Sequence, residues 1–183
     1  MIRITAAVAV LLGIVLGDAQ AQTVDYSKSQ ISFTGKQMGV PADGQFRKFT
    51  AQIAFESKQL AASKVEVSVD LNSIDTGSSE SDIEVKTKNW FNVPLFPAAK
   101  FSSTSIKQTG PDKYEANGKL SIKGISQDLR APFTAKTANG VTTFDGGFTI
   151  LRLGYKVGEG PWGDTETVAN EVQVKFHIVI TAK

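Results

Sequence analysis

Apolar and polar residues alternate along much of this chain with a period of two. The alternation is longest over residues 65–71 and 172–180, where valine, leucine, isoleucine and phenylalanine occupy every second position. Side chains two positions apart on a β-strand share a face, so each segment is predicted to be a strand with one apolar side. In the last strand, this parity places Phe176 on the buried face and His177 on the exposed face. Turn-forming residues separate the segments at 41–44, 109–112, 138–140 and 158–163.

The number and spacing of these segments predict an all-β fold. Roughly eight short strands follow one another, and antiparallel sheets with such clean alternation are usually sandwiches or barrels. We therefore expect one antiparallel, eight-stranded barrel. Residues 79–90 depart from the pattern because they are polar and carry alternating acids and bases. They predict a short helical insertion, with Ser79 as its N-cap and Asp82 three residues further on.

The first 21 residues have the pattern of a secretory signal peptide. Arg3 supplies a positive charge, residues 4–16 are apolar, and residues 19–21 form a small-x-small cleavage site. The alternative is a retained membrane anchor, but the apolar run is shorter than the roughly 20 residues that a span needs. The sequence therefore predicts a leader over 1–21 and a domain over 22–183. It also predicts a periplasmic or secreted location and no stable membrane insertion.

Composition and charge exclude several classes of function. The 183 residues carry a formal net charge of +2 without a basic run, so no nucleic-acid-binding surface is predicted. The absence of cysteine excludes thiolate metal sites, cysteine nucleophiles and redox dithiols. His177 is the only histidine, which excludes a histidine-rich metal cluster and leaves it as the sole candidate for a histidine general base. Because this histidine lies on the polar side of its strand, a general base is not expected there. Together these observations predict no enzyme, no cofactor and no metal.

Residues 158–163 match the pattern Gly-x-Gly-x-x-Gly of dinucleotide-binding loops. Such a loop must follow a strand and open a helix. Here Pro161 and Trp162 lie inside the pattern and another strand follows it. A hairpin turn is the prediction for this segment.

Large aromatic residues concentrate in or beside the predicted loops. Any single one of them can be explained as core packing, but together they suit the mouth of a barrel that takes up an apolar tail. Burial of each methylene contributes about 0.8 kcal/mol, so a long apolar chain needs few hydrogen bonds. The predicted ligand-binding residues are Phe46, Phe49, Trp90, Phe91, Phe96, Phe101, Phe148, Ile150 and Arg152.

Arg152 is the one charged residue in this set. It follows the apolar strand that contains Phe148 and Ile150. If its side chain points inward, it can meet a ligand headgroup or pair with an acid such as Asp164. The alternative interpretation is a salt bridge at the surface or the rim.

Several motifs together resemble the YceI family of exported lipid-binding proteins. These motifs cover nearly the whole chain after the leader, and they occur in the same order as in members of the family. The resemblance implies a lipocalin-like barrel with a long apolar pore for a polyisoprenoid, an isoprenoid quinone or another long apolar lipid. The motifs are Val24-Asp25, residues 29–33, Gly44-Gln45-Phe46, residues 69–77, Trp90-Phe91-Asn92-Val93, Phe96-Pro97 with Phe101, and Gly118-x-Leu120-x-Ile122-x-Gly124.

The hypothesis from the sequence is therefore a lipid-binding barrel that sequesters or transports its ligand. One alternative is a barrel with a filled core that acts as a structural or stress-related interaction protein. A second alternative is an enzyme that acts on a lipid. An interior tunnel distinguishes a carrier from a filled barrel, and the sequence leaves a homodimer open.

Overall fold

One curled antiparallel sheet makes up most of the protein in the computed structural model, which describes residues 22–182. The strands are β1 (Gln22–Val24), β2 (Gln30–Gln37), β3 (Val40–Phe46), β4 (Phe49–Ala54), β5 (Lys64–Asp70), β6 (Ile74–Asp75), β7 (Ala98–Gly110), β8 (Lys113–Ile122), β9 (Ile125–Ala138), β10 (Val141–Leu151) and β11 (Glu171–Ala182). The order of strands in the sheet is β4-β5-β7-β8-β9-β10-β11-β2-β3-β6, and β1 pairs with β11.

The predicted all-β, antiparallel barrel class is confirmed, but the predicted number of eight strands is wrong. Eleven strands are present within residues 22–182. The strands β1 and β6 have three and two residues, which is too short to show an alternating pattern. The strands β3 and β4 are separated only by residues 47–48, where the chain leaves one ladder and joins another.

The first predicted turn is misplaced. Residues 41–44 lie inside β3, and the actual turn is the two-residue loop Met38-Gly39, with Gln37 paired to Val40. Both loop residues have positive φ, 49° and 79°. This geometry matches the right-handed twist of a hairpin. The predicted turns at 109–112 and 138–140 are present, whereas residues 158–163 belong to a longer connection between β10 and β11.

Alternate residues of strand β11 face the solvent and the interior of the barrel. Gln173, Lys175 and His177 are exposed, as predicted, and His177 pairs with Asp145 of β10 at 2.6 Å between Nδ1 and Oδ1. Phe176 lies on the inward face, as predicted, but it is half-buried rather than buried. The reason is that its ring borders an open interior, described below, rather than a packed core.

The buried core occupies the two ends of the barrel. Near the start of β8, the rings of Phe55, Tyr114, Phe133 and Phe144 pack together with centroids 5.1–6.2 Å apart. We call these four residues the aromatic floor. The second buried cluster lies where β8 ends and β9 begins, and comprises Leu120, Ile122, Leu129, Tyr155 and Val157.

The predicted helical insertion is present as α1 (Ser79–Glu84). Its N-cap is Ser78 rather than the predicted Ser79, because the Ser78 hydroxyl accepts from the Ser81 amide at 3.4 Å. Asp82 accepts from both the amide and the hydroxyl of Thr76 at 2.7 Å, which ties the helix to the end of β6. No helix in the part of the chain that the structure describes is long and apolar enough to cross a membrane.

Candidate functional site

A cavity of about 610 Å³ lies inside the curled sheet. Its size is within the range of small-molecule sites. The inward faces of the strands supply its wall, and this wall is almost entirely aliphatic and aromatic. The apolar residues that line it include Ile31, Phe33, Val67, Val69, Phe101, Leu120, Leu129, Phe148, Ile150, Val172, Val174 and Phe176.

The cavity is elongated along the strands. On β11 it is lined by every second residue from Val172 to Ile178. Six residues of a strand span on the order of 20 Å. The next residue on the same face, Ile180, is buried and does not line the cavity. The space therefore runs from the end of the barrel near Val172 down to the aromatic floor.

Three phenylalanine rings lie flat against the wall, because each covers a glycine. Phe176 faces Gly146 across the β10–β11 ladder, and a Cβ at Gly146 would overlap the far end of that ring. Phe33 covers Gly44 in the same manner on β2 and β3. The ring of Phe101 would lie 2.8 Å from a Cβ at Gly118 on β8. Since the rings spread along the sheet instead of across it, the interior stays open.

The mouth of the cavity lies between the β2–β3 hairpin and α1. The hairpin contributes Lys36, Gln37, Ala42 and Asp43 to one side of the mouth, and the segment around α1 forms the opposite side. The lining residues of that segment are Thr76, Glu80, Ser81, Glu84 and Val85. The rim is therefore polar and carries both signs of charge, whereas the wall beneath it is apolar.

The connection between β10 and β11 closes the remaining side of the mouth. It bonds to the hairpin through the Met38 amide, which donates to Thr167 at 2.8 Å, and through the Ala169 amide, which donates to Lys36 at 2.9 Å. It bonds to α1 through Trp162 Nε1, which donates to Glu84 Oε1 at 2.8 Å. These contacts bring the three parts of the mouth into one structure.

Arg152 organises this connection from inside. The residue is 2% exposed, and all five guanidinium N–H groups donate to main-chain carbonyl oxygens. The acceptors, at 2.6–3.0 Å, are Val157, Gly158, Trp162, Val168 and Ala169. We call this arrangement the carbonyl cage.

The charge of Arg152 is held without an acidic partner. Its guanidinium carbon lies 5.7 Å from the centre of the Trp90 ring, a distance at which a cation is attracted to the aromatic face. Burial lowers the pKa of the guanidinium, and the five carbonyl dipoles favour the charged form. Within residues 22–182, Arg152 makes no ion pair.

Both the predicted pairing with Asp164 and the alternative of a surface salt bridge are therefore wrong. Asp164 instead accepts from the Glu166 amide and the Thr167 hydroxyl. Main-chain carbonyls replace the carboxylate because the chain folds back around the guanidinium after β10. Arg152 does line the cavity, but its donors are fully used. A direct hydrogen bond to a ligand headgroup would require one of them to be released.

Seven of the nine residues that the sequence nominates line the cavity: Phe46, Trp90, Phe91, Phe101, Phe148, Ile150 and Arg152. Phe49 and Phe96 do not. The ring of Phe49 packs edge-on against Tyr26 at 5.4 Å. Phe96 covers Gly124 in the β8–β9 turn, where a Cβ would lie 3.0 Å from its ring. Phe49 also packs against the buried cluster that contains the aromatic floor, so both rings have structural partners but neither lines the cavity.

Sequence reasoning missed Phe33 and Phe176 as lining residues. A signal for both exists, because each faces a glycine in a neighbouring strand, at Gly44 and Gly146. Glycine inside a strand often marks a close approach by another group. The glycines identify Phe33 and Phe176 as lining residues only when the pairing register of the strands is known.

The described part of the chain contains no group of three or more histidine, aspartate or glutamate residues that could hold a metal ion. Of the acids at the mouth, Glu80 and Glu84 lie on one short helix and Asp43 lies on the β2–β3 hairpin. Glu84 accepts a hydrogen bond from Trp162, and Asp43 accepts one from the Thr34 hydroxyl. The chemistry that this site offers is apolar contact along a tunnel, with polar groups at one end.

Comparison with known proteins gives a consistent result. Residues 22–180 match the YceI-like domain. A UPF0312 protein of Azotobacter vinelandii is 31% identical over 136 residues, which are 70% of this chain and 71% of that protein. A UPF0312 protein of Yersinia pestis is 37% identical over 86 residues, which are 47% of this chain and 44% of that protein.

Solved structures are similar over most of the chain. Burkholderia cenocepacia BcnA has a TM-score of 0.84 at 40% identity, over 86% of this chain and 99% of that chain. A polyisoprenoid binding domain from Saccharophagus degradans has a TM-score of 0.72, over 90% of this chain and 99% of that domain. The sequence identity to that domain is 13%, so this second likeness concerns the fold alone.

Proposed function

The chain belongs to the YceI family, as the sequence motifs predict, and from this premise we propose that it binds a long-chain isoprenoid or a similar amphiphilic lipid inside its barrel. The observation that carries the proposal is the apolar cavity of about 610 Å³ that ends at the aromatic floor. This cavity supports the proposal over the alternative of a barrel with a filled core.

The physical basis of the proposed affinity is removal of apolar area from water. A chain that enters from the mouth would contact the flat rings of Phe33, Phe101 and Phe176 and the aliphatic residues between them. Its polar head would stay near the hairpin and α1, where the lining is polar. The polyisoprenoid-binding domain with the same fold is consistent with such a ligand. We propose sequestration or transport of the lipid as the role of the protein.

Binding is expected to weaken when Phe101 is replaced by alanine. The loss should be about 1–3 kcal/mol, the contribution of one large apolar side chain. The measurement is a titration with a fluorescent polyisoprenoid or quinone analogue, alongside urea unfolding to register any loosening of the barrel. Phe96→Ala is the matched control, since it removes an equally half-buried ring that does not line the cavity. Equal affinities of the two variants would contradict the proposed site.

We further propose that the protein works in the periplasm or outside the cell. The support is the leader pattern over residues 1–21, which lies outside the described residues. Intact-mass measurement of protein recovered from the exporting cell should give a chain that starts near Gln22. A chain that retains Met1 in the exported fraction would disprove this.

A further inference from the structure

We propose that the indole nitrogen of Trp90, Nε1, donates a hydrogen bond to an oxygen atom in the head of the bound lipid. This inference rests on the proposed function and adds the chemistry of the head, which must carry a hydrogen-bond acceptor such as a carbonyl oxygen. The observation behind it is a buried donor that finds no acceptor within residues 22–182, on a residue that lines the cavity.

The N–H group of Trp90 stands out among the buried polar side-chain atoms of the described residues. Only two such atoms lack a hydrogen-bond partner there, Trp90 Nε1 and Glu115 Oε1. Glu115 Oε1 lies 3.0 Å from Lys107 Nζ, so an ion pair accounts for it. Buried polar groups in proteins are almost always hydrogen-bonded, because an unsatisfied one has lost its water without compensation. Trp90 therefore calls for an acceptor that the described part of the chain does not supply.

The neighbouring tryptophan shows the ordinary solution at the same place. The ring centroids of Trp162 and Trp90 are 5.6 Å apart, and both residues are half-buried and line the cavity. Trp162 Nε1 donates to Glu84 Oε1 at 2.8 Å. Position at the mouth and partial burial therefore do not by themselves leave an indole N–H without an acceptor.

The Trp90 ring is held with its N–H end away from the connection between β10 and β11. Its Cζ3 atom, at the opposite end of the indole from Nε1, lies against Gly158, where a Cβ would be 3.2 Å away. The guanidinium carbon of Arg152 lies over the ring, 5.7 Å from its centroid. Because protein covers these sides, the cavity that Trp90 lines is the side from which an acceptor can approach.

The surroundings of the Trp90 ring favour an acceptor oxygen over a cationic group. Arg152 holds its charge beside this ring, and its five N–H groups already donate to main-chain carbonyls. Its field attracts the negative partial charge of an oxygen and repels an ammonium group. The apolar wall lowers the local dielectric, which strengthens a hydrogen bond that forms there. A head with a carbonyl or similar oxygen fits this place, whereas a plain hydrocarbon leaves the N–H unsatisfied.

Replacement of Trp90 by phenylalanine should separate the hydrogen bond from apolar contact. The probes are a long-chain prenyl ketone and the hydrocarbon in which a methylene group replaces its carbonyl. Phenylalanine keeps an aromatic ring but has no N–H, so binding of the ketone should weaken about threefold to tenfold more than binding of the hydrocarbon. The affinities are measured on the full domain by displacement of a fluorescent polyisoprenoid analogue.

Phe148→Leu is the matched control for this comparison. It removes an aromatic ring from the wall of the cavity without removing a donor. Both probes lose the same apolar contact in this variant, so we expect their affinities to fall by the same factor. Urea unfolding of both variants registers any loosening of the barrel.

The indole N–H signals provide a second measurement on the wild-type protein. The chain contains two tryptophans, so a proton–nitrogen correlation spectrum has two indole signals, and Trp162 serves as the internal reference. Substitution of either tryptophan by phenylalanine assigns them. The ketone should move the Trp90 proton signal downfield, as a new hydrogen bond does, and the hydrocarbon should not. This readout keeps the test decisive if Trp90→Phe folds poorly.

The outcomes separate this inference from the proposed function. Equal losses of affinity for ketone and hydrocarbon in Trp90→Phe would overturn the inference, as would a Trp90 signal that responds alike to both probes. Either result would assign the indole N–H to an ordered water instead of the ligand. If the wild-type protein binds neither probe, the proposed function itself is overturned.

Discussion

Replacement of Arg152 by methionine is expected to destabilise the protein by roughly 3–5 kcal/mol. Methionine has similar length but no donor, so the five carbonyl oxygens of the cage would be left buried without partners. Each buried unsatisfied polar group costs about 1–3 kcal/mol, although relaxation of the loop should recover part of the total. The loss should be visible as a lower urea midpoint and a lower Tm.

The Arg152→Lys variant tests the geometry of the cage separately from its charge. An ammonium group has three donors and cannot reach five carbonyls that surround a planar guanidinium. We therefore expect it to recover only a small part of the lost stability. Arg130→Met, on the exposed side of β9, is the control and should change stability by less than about 0.5 kcal/mol. A loss below about 1 kcal/mol for Arg152→Met would show that the cage contributes little.

The effect of Arg152→Met should extend to ligand exchange. Trp162, Val168 and Ala169, whose carbonyls the guanidinium holds, also line the cavity near its mouth. Release of this connection should loosen the mouth, and we expect faster dissociation of the ligand in a stopped-flow displacement measurement. This makes Arg152 a positioning residue that acts through the main chain.

Substitution of Gly146 by alanine is expected to impair both stability and binding. The new Cβ would lie 2.5 Å from the carbonyl oxygen of Pro132 and 2.8 Å from the Cβ of Phe133, and it would overlap the ring of Phe176. The cost is steric, because a tightly packed wall must move to admit the methyl group. Such overpacking typically destabilises by about 1–3 kcal/mol.

The ring of Phe176 lines the cavity, which offers open space to a displaced ring. We therefore expect it to tilt inward and to reduce the affinity for an apolar chain by at least about tenfold. The measurements are urea unfolding and titration with the same fluorescent analogue. Gly35→Ala is the matched control, because Gly35 also lines the cavity but a Cβ there meets nothing within 4 Å. Equal behaviour of the two variants would show that glycine does not hold the wall open.

The amino-acid sequence by itself determined the class of fold. The alternation of apolar and polar residues with a period of two predicted the strands, because a strand with one buried and one solvent-exposed face places successive side chains on opposite faces. It also placed His177 outside, since parity along one strand depends only on that strand. The turn at residues 138–140 was also predicted correctly, since Asn139 and Gly140 readily adopt the positive φ that a two-residue turn requires.

Only the tertiary structure decided which aromatic residues face the cavity. Phe96 and Phe101 are neighbours in sequence and are both half-buried, yet one covers a turn and the other lines the interior. The difference arises from the strand pairing that places Gly124 beneath Phe96 and Gly118 beside Phe101. Pairing joins residues that are distant along the chain, so local patterns do not contain it.

The same reason explains Arg152. The sequence places a charged residue at the end of an apolar strand, where an acidic partner is the ordinary expectation. In the structure, five main-chain carbonyl oxygens accept hydrogen bonds from the Arg152 guanidinium instead. They belong to residues 157–169, which fold back around this side chain. Every residue except proline carries the same main-chain donor and acceptor, so no side-chain pattern marks which carbonyls converge. Their convergence is a property of the folded chain alone.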